Sequence, residues 1–123
     1  MMKIAVTAHG EDREAKVDPR FGRADYFVLY DQENDTWDCA PNIQNLEAAH
    51  GAGIQAGQAL LKTGVGVLLT GHVGPKAFKV LDAGKVKVYS FGDRNGTVNE
   101  VVEDFLADKL DVVAVPNALD VKR

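Results

Sequence analysis

The sequence predicts one α/β domain in which about three helices flank a mixed five-stranded sheet. The chain has 123 residues, the size of one ordinary domain. Two neighbouring strand-like segments precede a region in which strand-like and helix-like segments alternate. That alternation favours parallel strands joined by right-handed crossovers. Hydrophobic residues at 46% and charged residues at 26% are typical of globular proteins and argue against disorder, coiled coils and fibrous repeats.

The first third of the chain predicts a strand, a long loop and a hairpin. The apolar run 4–8 is typical of a buried strand. Residues 11–23 mix charges with Pro19 and Gly22, which indicates a loop. The aromatic and β-branched run 26–30 and the weaker pattern 36–39 predict two strands joined by a five-residue turn. The second of the five strands is therefore expected to run antiparallel to the others.

The remaining segments alternate between helix and strand. Apolar spacing near 3.6 predicts a helix over 47–62 that Gly64 closes, with strands at 65–70 and 86–89. Proline at the first turn predicts a helix over 75–83 that ends at Gly84. A Thr97 and Glu100 capping box opens a third helix, with an apolar face made of Val98, Val101, Val102, Phe105 and Leu106. We expect an α/β core over 1–110 and a tail over 111–123 that is extended or forms an edge strand.

Charge and cysteine content narrow the function classes. The 14 basic and 18 acidic residues give a net charge of -4, which disfavours nucleic-acid binding driven by global charge. Cys39 is the single cysteine, so the sequence offers no internal disulfide and no Cys-x-x-Cys pair. The apolar start is too short for a signal peptide, and no segment is long enough to span a membrane. We expect a cytoplasmic protein that has no membrane partner.

Three histidines are expected at one edge of the sheet. His9, His50 and His72 each lie beside a glycine and follow strands predicted to run in the same direction. Open α/β sheets bind ligands at the carboxyl ends of their strands. We call this edge the rim. Arg20 and Arg23 lie in the loop that begins there.

Two predicted helices begin at the rim as well. One opens near His50 and Gly51, the other at Gly74 and Pro75. Helix amino termini present free N–H groups and a partial positive charge. The rim therefore suits an anion.

Structural explanations compete with this interpretation. A histidine beside a glycine is most often a polar turn residue, and the two arginines can pair with Asp18 and Asp25. Glycines 51, 53 and 57 can simply let a helix pack on the sheet. Cys39 is typical of a small, partly buried strand residue rather than a ligand.

Enzyme signatures are absent from the sequence. There is no Gly-x-Ser-x-Gly, His-Glu-x-x-His or Walker-type phosphate loop, and Ser90 is the single serine. The glycines from Gly51 to Gly57 match the dinucleotide fingerprint only loosely. The predicted central strands carry no carboxylates for two-metal chemistry. A binding protein is favoured.

Four segments together resemble one family. They are the start 2–6, the Arg-Phe-Gly-Arg stretch within 17–24, the stretch from Asn42 through the His-Gly-x-Gly motif to Ala56, and the Gly-x-x-Gly-Pro turn within 70–77. In this combination the chain resembles the dinitrogenase iron-molybdenum cofactor biosynthesis family, to about residue 110. The resemblance implies a ribonuclease H-like fold without nuclease chemistry and binding of anionic molybdenum- or iron-sulfur clusters. Orange proteins, one type of member, hold a molybdenum-copper sulfide cluster.

The resemblance also implies a ligand-binding set. The family's arginine loop falls on Arg20 and Arg23, its histidine at a helix start on His50, and its glycine turn on 71–75, within which His72 is not a fixed family ligand. The candidate cofactor-binding residues are Arg20, Phe21, Arg23, His50, Gly51, Gly53, Gly71, His72 and Gly74, with His50 as the candidate metal ligand and no catalytic residue. Sulfide-rich clusters bring their own sulfur, so cations and N–H donors suffice to hold them.

The leading hypothesis is therefore a non-catalytic carrier or scaffold for a molybdenum-containing sulfide cluster, with copper or iron as the second metal. A protein recipient of the cluster is the expected partner. The alternative is a regulatory module that binds a nucleotide or a protein at the same rim. A small enzyme that uses His50 or His72 as a base ranks last, because no nucleophile or second carboxylate can be placed beside them.

Overall fold

A six-stranded mixed sheet organises the chain, with helices on both of its faces. The computed structural model describes residues 3–42 and 52–117. The strands are β1 (Lys3–Ala8), β2 (Tyr26–Asp31), β3 (Thr36–Pro41), β4 (Val67–Thr70), β5 (Lys87–Ser90) and β6 (Asp111–Val112). The helices are α1 (Ala52–Leu61), α2 (Pro75–Ala83) and α3 (Val98–Leu106), and a short 3-10 turn spans Phe21–Arg23.

The strand order is β3-β2-β1-β4-β5-β6. β2 pairs antiparallel with both β1 and β3, whereas β1, β4 and β5 pair in parallel. The expected directions of the first five strands are thus confirmed, and the carboxyl ends of β1, β3, β4 and β5 share the rim.

The sheet has one strand more than the five that the sequence predicts. The sixth, β6, consists of two residues of the predicted tail and pairs antiparallel with the end of β5. Val113 extends the pairing, because its N–H donates to the carbonyl of Val88 at 2.8 Å. The tail therefore forms the edge strand that was one of its two expected conformations.

Alternating side chains of the central strands pack into two hydrophobic cores, one on each face of the sheet. Ala5 and Leu68 face α1 and α2, where Leu60 and Leu81 are fully buried. Ile4, Val6 and Leu69 face α3 on the other side, together with Val98, Val101 and Val102. Because β1 and β4 are apolar on both faces, they lie at the centre of a three-layer domain.

Two of the three predicted helix boundaries agree closely with the structure. α2 has the predicted bounds, and α3 opens with the predicted capping box, in which the Thr97 hydroxyl accepts from the Glu100 N–H and the Glu100 carboxylate accepts from the Thr97 N–H. Residues 47–51, where the first helix was expected to begin, lie outside the described residues. Gly64, after α1, has a left-handed φ of 80°.

One detail of the predicted helices was wrong, and one was confirmed. Leu106 does not belong to the buried face of α3, because its side chain is 44% exposed at the last helical position. α2 ends at Gly84 as predicted, with a φ of -84° at Gly84 and a left-handed φ of 64° at Lys85. A Cβ on Gly84 would lie 2.3 Å from Cδ2 of Leu61, so Gly84 packs closely against the end of α1.

The helical glycines serve the contact between α1 and α2. A Cβ on Gly53 would lie 3.0 Å from that of Ala77, and one on Gly57 would lie 3.1 Å from Cγ1 of Val80. The close approach at Gly53 and Gly57 is therefore with α2, not with the sheet as expected. The described helices are nine or ten residues long, and none of them is long and apolar enough to cross a membrane.

Candidate functional site

Two buried threonine hydroxyls join the parallel strands beneath the rim. The Thr7 Oγ1 donates to the carbonyl of Asp18 at 2.5 Å and lies 2.8 Å from the Thr70 Oγ1. The Asp18 N–H in turn donates to the Thr7 carbonyl at 2.9 Å. These contacts hold the loop after β1 against the ends of β1 and β4.

The loop after β1 also clamps the glycine-rich turn after β4. The His72 N–H donates to the Pro19 carbonyl at 2.7 Å, and the Phe21 N–H donates to the His72 carbonyl at 3.3 Å. A Cβ on Gly71 would lie 2.4 Å from the Gly92 carbonyl oxygen and 2.5 Å from Cβ of Pro19. Glycine at position 71 therefore lets three rim loops meet.

Arg20 is exposed at the rim but is bound to a buried carboxylate. Its Nε and Nη2 donate to the two oxygens of Asp18 at 3.1 and 3.0 Å, and its backbone N–H donates to Asp18 Oδ1 at 2.9 Å. The Arg20 side chain is 61% exposed, whereas that of Asp18 is 1% exposed. Burial alone would raise the pKa of Asp18, but the hydrogen bonds and charge of Arg20, helped by His9, lower it.

His9 lies between two carboxylates at the end of β1. Its Nδ1 is 3.6 Å from Asp18 Oδ2 and 3.9 Å from Asp25 Oδ2, and its side chain is half-exposed. The imidazole, Arg20 and the carboxylates form one polar cluster. The rim thus carries mixed charge rather than a purely cationic surface.

His72 and the turn that contains it are fixed by two distant parts of the chain. Its Nε2 lies 2.7 Å from Oδ1 of Asp93, in the loop after β5. Asn117, in the tail, donates from Nδ2 to the Gly71 carbonyl and accepts at Oδ1 from the Val73 N–H. The Asn117 N–H also donates to the Val73 carbonyl. A well-ordered turn is the result.

The turn leads directly into α2. Gly74 is the N-cap residue and has no side chain that could cap this end, and Pro75 occupies the first turn. The positive end of the helix dipole therefore lies at the rim.

Other predicted site residues have different surroundings. Phe21 is 2% exposed and packs its ring against Phe27 in the core, so it supports the loop from below. Gly53 contacts α2, as described above. Arg23 is exposed at the end of the 3-10 turn. His50 and Gly51 lie outside the described residues.

Cys39 lies in β3, paired with Val28 of β2. Burial, followed by the nearby negative charges of Glu11 and Asp38, raises the pKa of its thiol. Within residues 3–42 and 52–117, no three His, Cys, Asp or Glu side chains are grouped so that they could hold a metal ion. The donors that these residues offer are therefore guanidinium, imidazole and backbone N–H groups.

Several residues that build the rim could not be identified from the sequence. Thr7 lies within the apolar run 4–8 and Thr70 ends the strand predicted over 65–70, so each is a polar residue in an otherwise apolar segment. Asp93 and Asn117 carry no such signal, because their partners are 21 and 44 residues away in the sequence.

Comparison with known proteins assigns the family. The family model described as dinitrogenase iron-molybdenum cofactor matches residues 2–108. The chain belongs to this family. The residues that match the dinitrogenase iron-molybdenum cofactor family include every described rim residue except Asn117, which lies beyond residue 108.

Solved structures and a curated relative resemble this family member over most of its length. The apo form of the orange protein from Desulfovibrio gigas is 44% identical, with a TM-score of 0.90 over 96% of this chain and 98% of that one. A protein from Thermotoga, described as a candidate NifB protein, is 35% identical, with a TM-score of 0.82 and the same coverage. An uncharacterized protein of Methanocaldococcus jannaschii is 26% identical over 90% of this chain and 91% of its own length.

Proposed function

We propose that this protein is a non-catalytic carrier or scaffold that binds an anionic molybdenum-containing sulfide cluster at the rim. The observation that carries the proposal is its 44% identity to the orange protein across nearly the whole of both chains. Orange proteins are the members of the family that, as the sequence resemblance implies, hold a molybdenum-copper sulfide cluster. We propose the same cargo for this chain, with iron as the alternative second metal. We also propose a cytoplasmic location and the family's ribonuclease H-like fold.

The donor set of the rim supports a cargo that brings its own sulfur. Sulfide ligands of a polyanionic cluster accept hydrogen bonds from guanidinium and N–H groups, and charge strengthens these bonds. Arg20 presents such a guanidinium, and Gly74, the N-cap residue of α2, follows two residues after His72, whose backbone pairs with that of Arg20. The protonated thiol favoured at Cys39 is a poor metal ligand.

The residues proposed to hold the cluster include two outside the described part of the chain. Arg20 and Arg23 supply positive charge, N–H groups near Gly51 and Gly74 supply donors, and His50 is the proposed metal ligand. His72 and Gly71 shape the turn. Phe21 and Gly53 act indirectly, by packing beneath the loop and between the helices.

An anaerobic titration with tetrathiomolybdate, with and without copper, tests the proposal. We expect new visible absorption bands and molybdenum that stays with the protein after desalting. A copper requirement would favour a molybdenum-copper cluster. If no molybdenum survives desalting, the proposal fails for this cargo. A parallel nucleotide titration that shifts the protein's resonances would then favour a regulatory module.

Paired variants test the place of binding. Arg20→Ala with Arg23→Ala removes two positive charges from the rim and is expected to weaken retention, with a difference from the wild type that shrinks as added salt screens these charges. Lys62→Ala with Lys87→Ala is the matched control, since these exposed lysines lie at the opposite edge of the sheet, after α1 and at the start of β5. Equal retention by the two double variants would contradict binding at the arginine loop.

A further inference from the structure

Asp18 is a buried negative charge beneath a rim that is proposed to bind an anion. Its side chain is 1% exposed, and it lies directly under the exposed guanidinium of Arg20. A carboxylate here opposes an anionic ligand by simple Coulomb repulsion. Burying it also has a desolvation cost, which its hydrogen bonds offset. Attraction of the ligand by charge therefore does not explain why a carboxylate lies at position 18.

The hydrogen bonds supply that reason, because they fix the arginine at three points. Asp18 accepts from the backbone N–H, the Nε and the Nη2 of Arg20, at 2.9 to 3.1 Å. The planar fork of the guanidinium is thereby held in one orientation, although most of the side chain is in solvent. The side chain is 61% exposed, and Nη1 has no hydrogen-bond partner among the described residues.

Asp18 is itself held rigidly. Its N–H donates to the Thr7 carbonyl, and its own carbonyl accepts from the Thr7 hydroxyl. Thr7 is buried and in contact with Thr70 at the end of β4. These contacts thus fix the position of the guanidinium relative to β1 and β4, the two central strands of the sheet.

We propose that Asp18 is a positioning residue for ligand binding: it holds Arg20 with one guanidinium edge open at the rim, beside the glycine-rich turn. The inference rests on the proposed function and adds a residue to it. An arginine fixed before the ligand arrives loses less conformational freedom on binding. The binding free energy gained by fixing Arg20 in advance exceeds the repulsion between the ligand and the buried carboxylate, because Arg20 already neutralises that carboxylate.

The sign of one substitution separates the two effects. Asp18→Asn removes a negative charge, so charge alone predicts tighter binding of an anion. It also places an amide NH2 against the donors of Arg20 and releases the side chain, so loss of positioning predicts weaker binding. We expect thiomolybdate binding weakened by about 2- to 12-fold, the range for ordering one long side chain.

The test is a double-mutant cycle read by the dissociation constant for tetrathiomolybdate. It compares the wild-type protein with Asp18→Asn, Arg20→Ala and the double variant. Because Asp18 positions the ligand only through Arg20, we expect Asp18→Asn not to weaken binding once Arg20 is alanine, where loss of the carboxylate charge alone makes binding tighter. Asp25→Asn is the matched control: it removes another rim carboxylate that makes no hydrogen bond to Arg20 and is expected to leave binding unchanged or tighter.

The outcomes of this experiment distinguish failure of the positioning role of Asp18 from failure of the proposed function on which it rests. If the wild-type protein binds no thiomolybdate, the proposed function fails and the positioning role fails with it. If the wild type binds and Asp18→Asn binds equally well or more tightly, only the positioning role is overturned. If Asp18→Asn does not fold, Arg20→Lys decides, because it keeps the charge but loses the fork. Wild-type affinity in Arg20→Lys would overturn the inference, and affinity near that of Arg20→Ala would support it.

Discussion

The hydroxyl oxygens of Thr7 and Thr70 lie 2.8 Å apart at the carboxyl ends of two parallel strands. Thr7 has one hydroxyl proton, which it donates to the carbonyl of Asp18. The proton between the two threonines must therefore come from Thr70. The chain of hydrogen bonds has a direction, from Thr70 through Thr7 to the loop that carries Arg20.

This direction makes the two threonines unequal. Thr7→Val leaves the buried Asp18 carbonyl without its side-chain donor and the Thr70 hydroxyl without its acceptor, so we expect a loss of roughly 2 kcal/mol or more in unfolding free energy. Thr70→Val removes a donor from Thr7, which still donates to Asp18, so a loss of about 1 kcal/mol is expected. Urea denaturation of both variants measures the difference. Equal losses would show that the direction is wrong.

Stability should decline in acid because of Asp18. Its pKa in the folded protein lies below the ordinary value of 3.8. The contribution to stability is therefore complete above pH 3.8 and is lost as pH falls further, through the folded-state pKa. Thermal unfolding between pH 6 and pH 2.5 should show a shallower acid decline for Asp18→Asn than for the wild type. Asp82→Asn, at an exposed position on α2, is the control and should keep the wild-type profile.

Gly71 should not tolerate a side chain. Alanine there would place its Cβ against backbone of Gly92 and Pro19, so we expect a loss of at least about 2 kcal/mol, with disturbed rim loops. Gly66→Ala is the matched control, since its Cβ would meet open space and its φ is not left-handed. Its stability should stay within about 0.5 kcal/mol of the wild type. Denaturant midpoints compare the two, and equal midpoints would contradict the three-loop junction.

Cys39 should be dispensable for binding the cluster. Its raised thiol pKa keeps the sulfur protonated near neutral pH, and it lies in β3, paired with Val28 of β2. We expect Cys39→Ser to retain as much molybdenum as the wild type after desalting. The iodoacetamide reaction of the wild type should accelerate only at high pH. Loss of molybdenum in the variant would indicate thiolate ligation.

Periodicity and turn chemistry predicted most elements of the fold, but not every contact at the rim. α2 and the cap of α3 follow from local signals, Pro75 and the pair Thr97 and Glu100, which act within one turn of helix. β6 was harder to predict, because two residues are too few for a period and its pairing depends on β5.

The site itself was predicted in part. The histidine and arginine loops follow from strand direction, and the structure brings Arg20 and His72 to one rim. The pairing of Arg20 with Asp18 was foreseen only as a competing explanation. The links from Asp93 and Asn117 connect loops far apart in sequence, and local patterns do not encode such contacts.

The position of β1 has a consequence for how the chain is built during synthesis. β1 pairs antiparallel with β2, which begins 18 residues after β1 ends, and parallel with β4, which begins 59 residues after β1 ends. On the ribosome β1, β2 and β3 can assemble first as a local three-stranded meander, because short loops close quickly. One edge of β1, apolar on both faces, then stays open until residues 67–70 emerge. Newly made chains should therefore be most prone to aggregate in that interval.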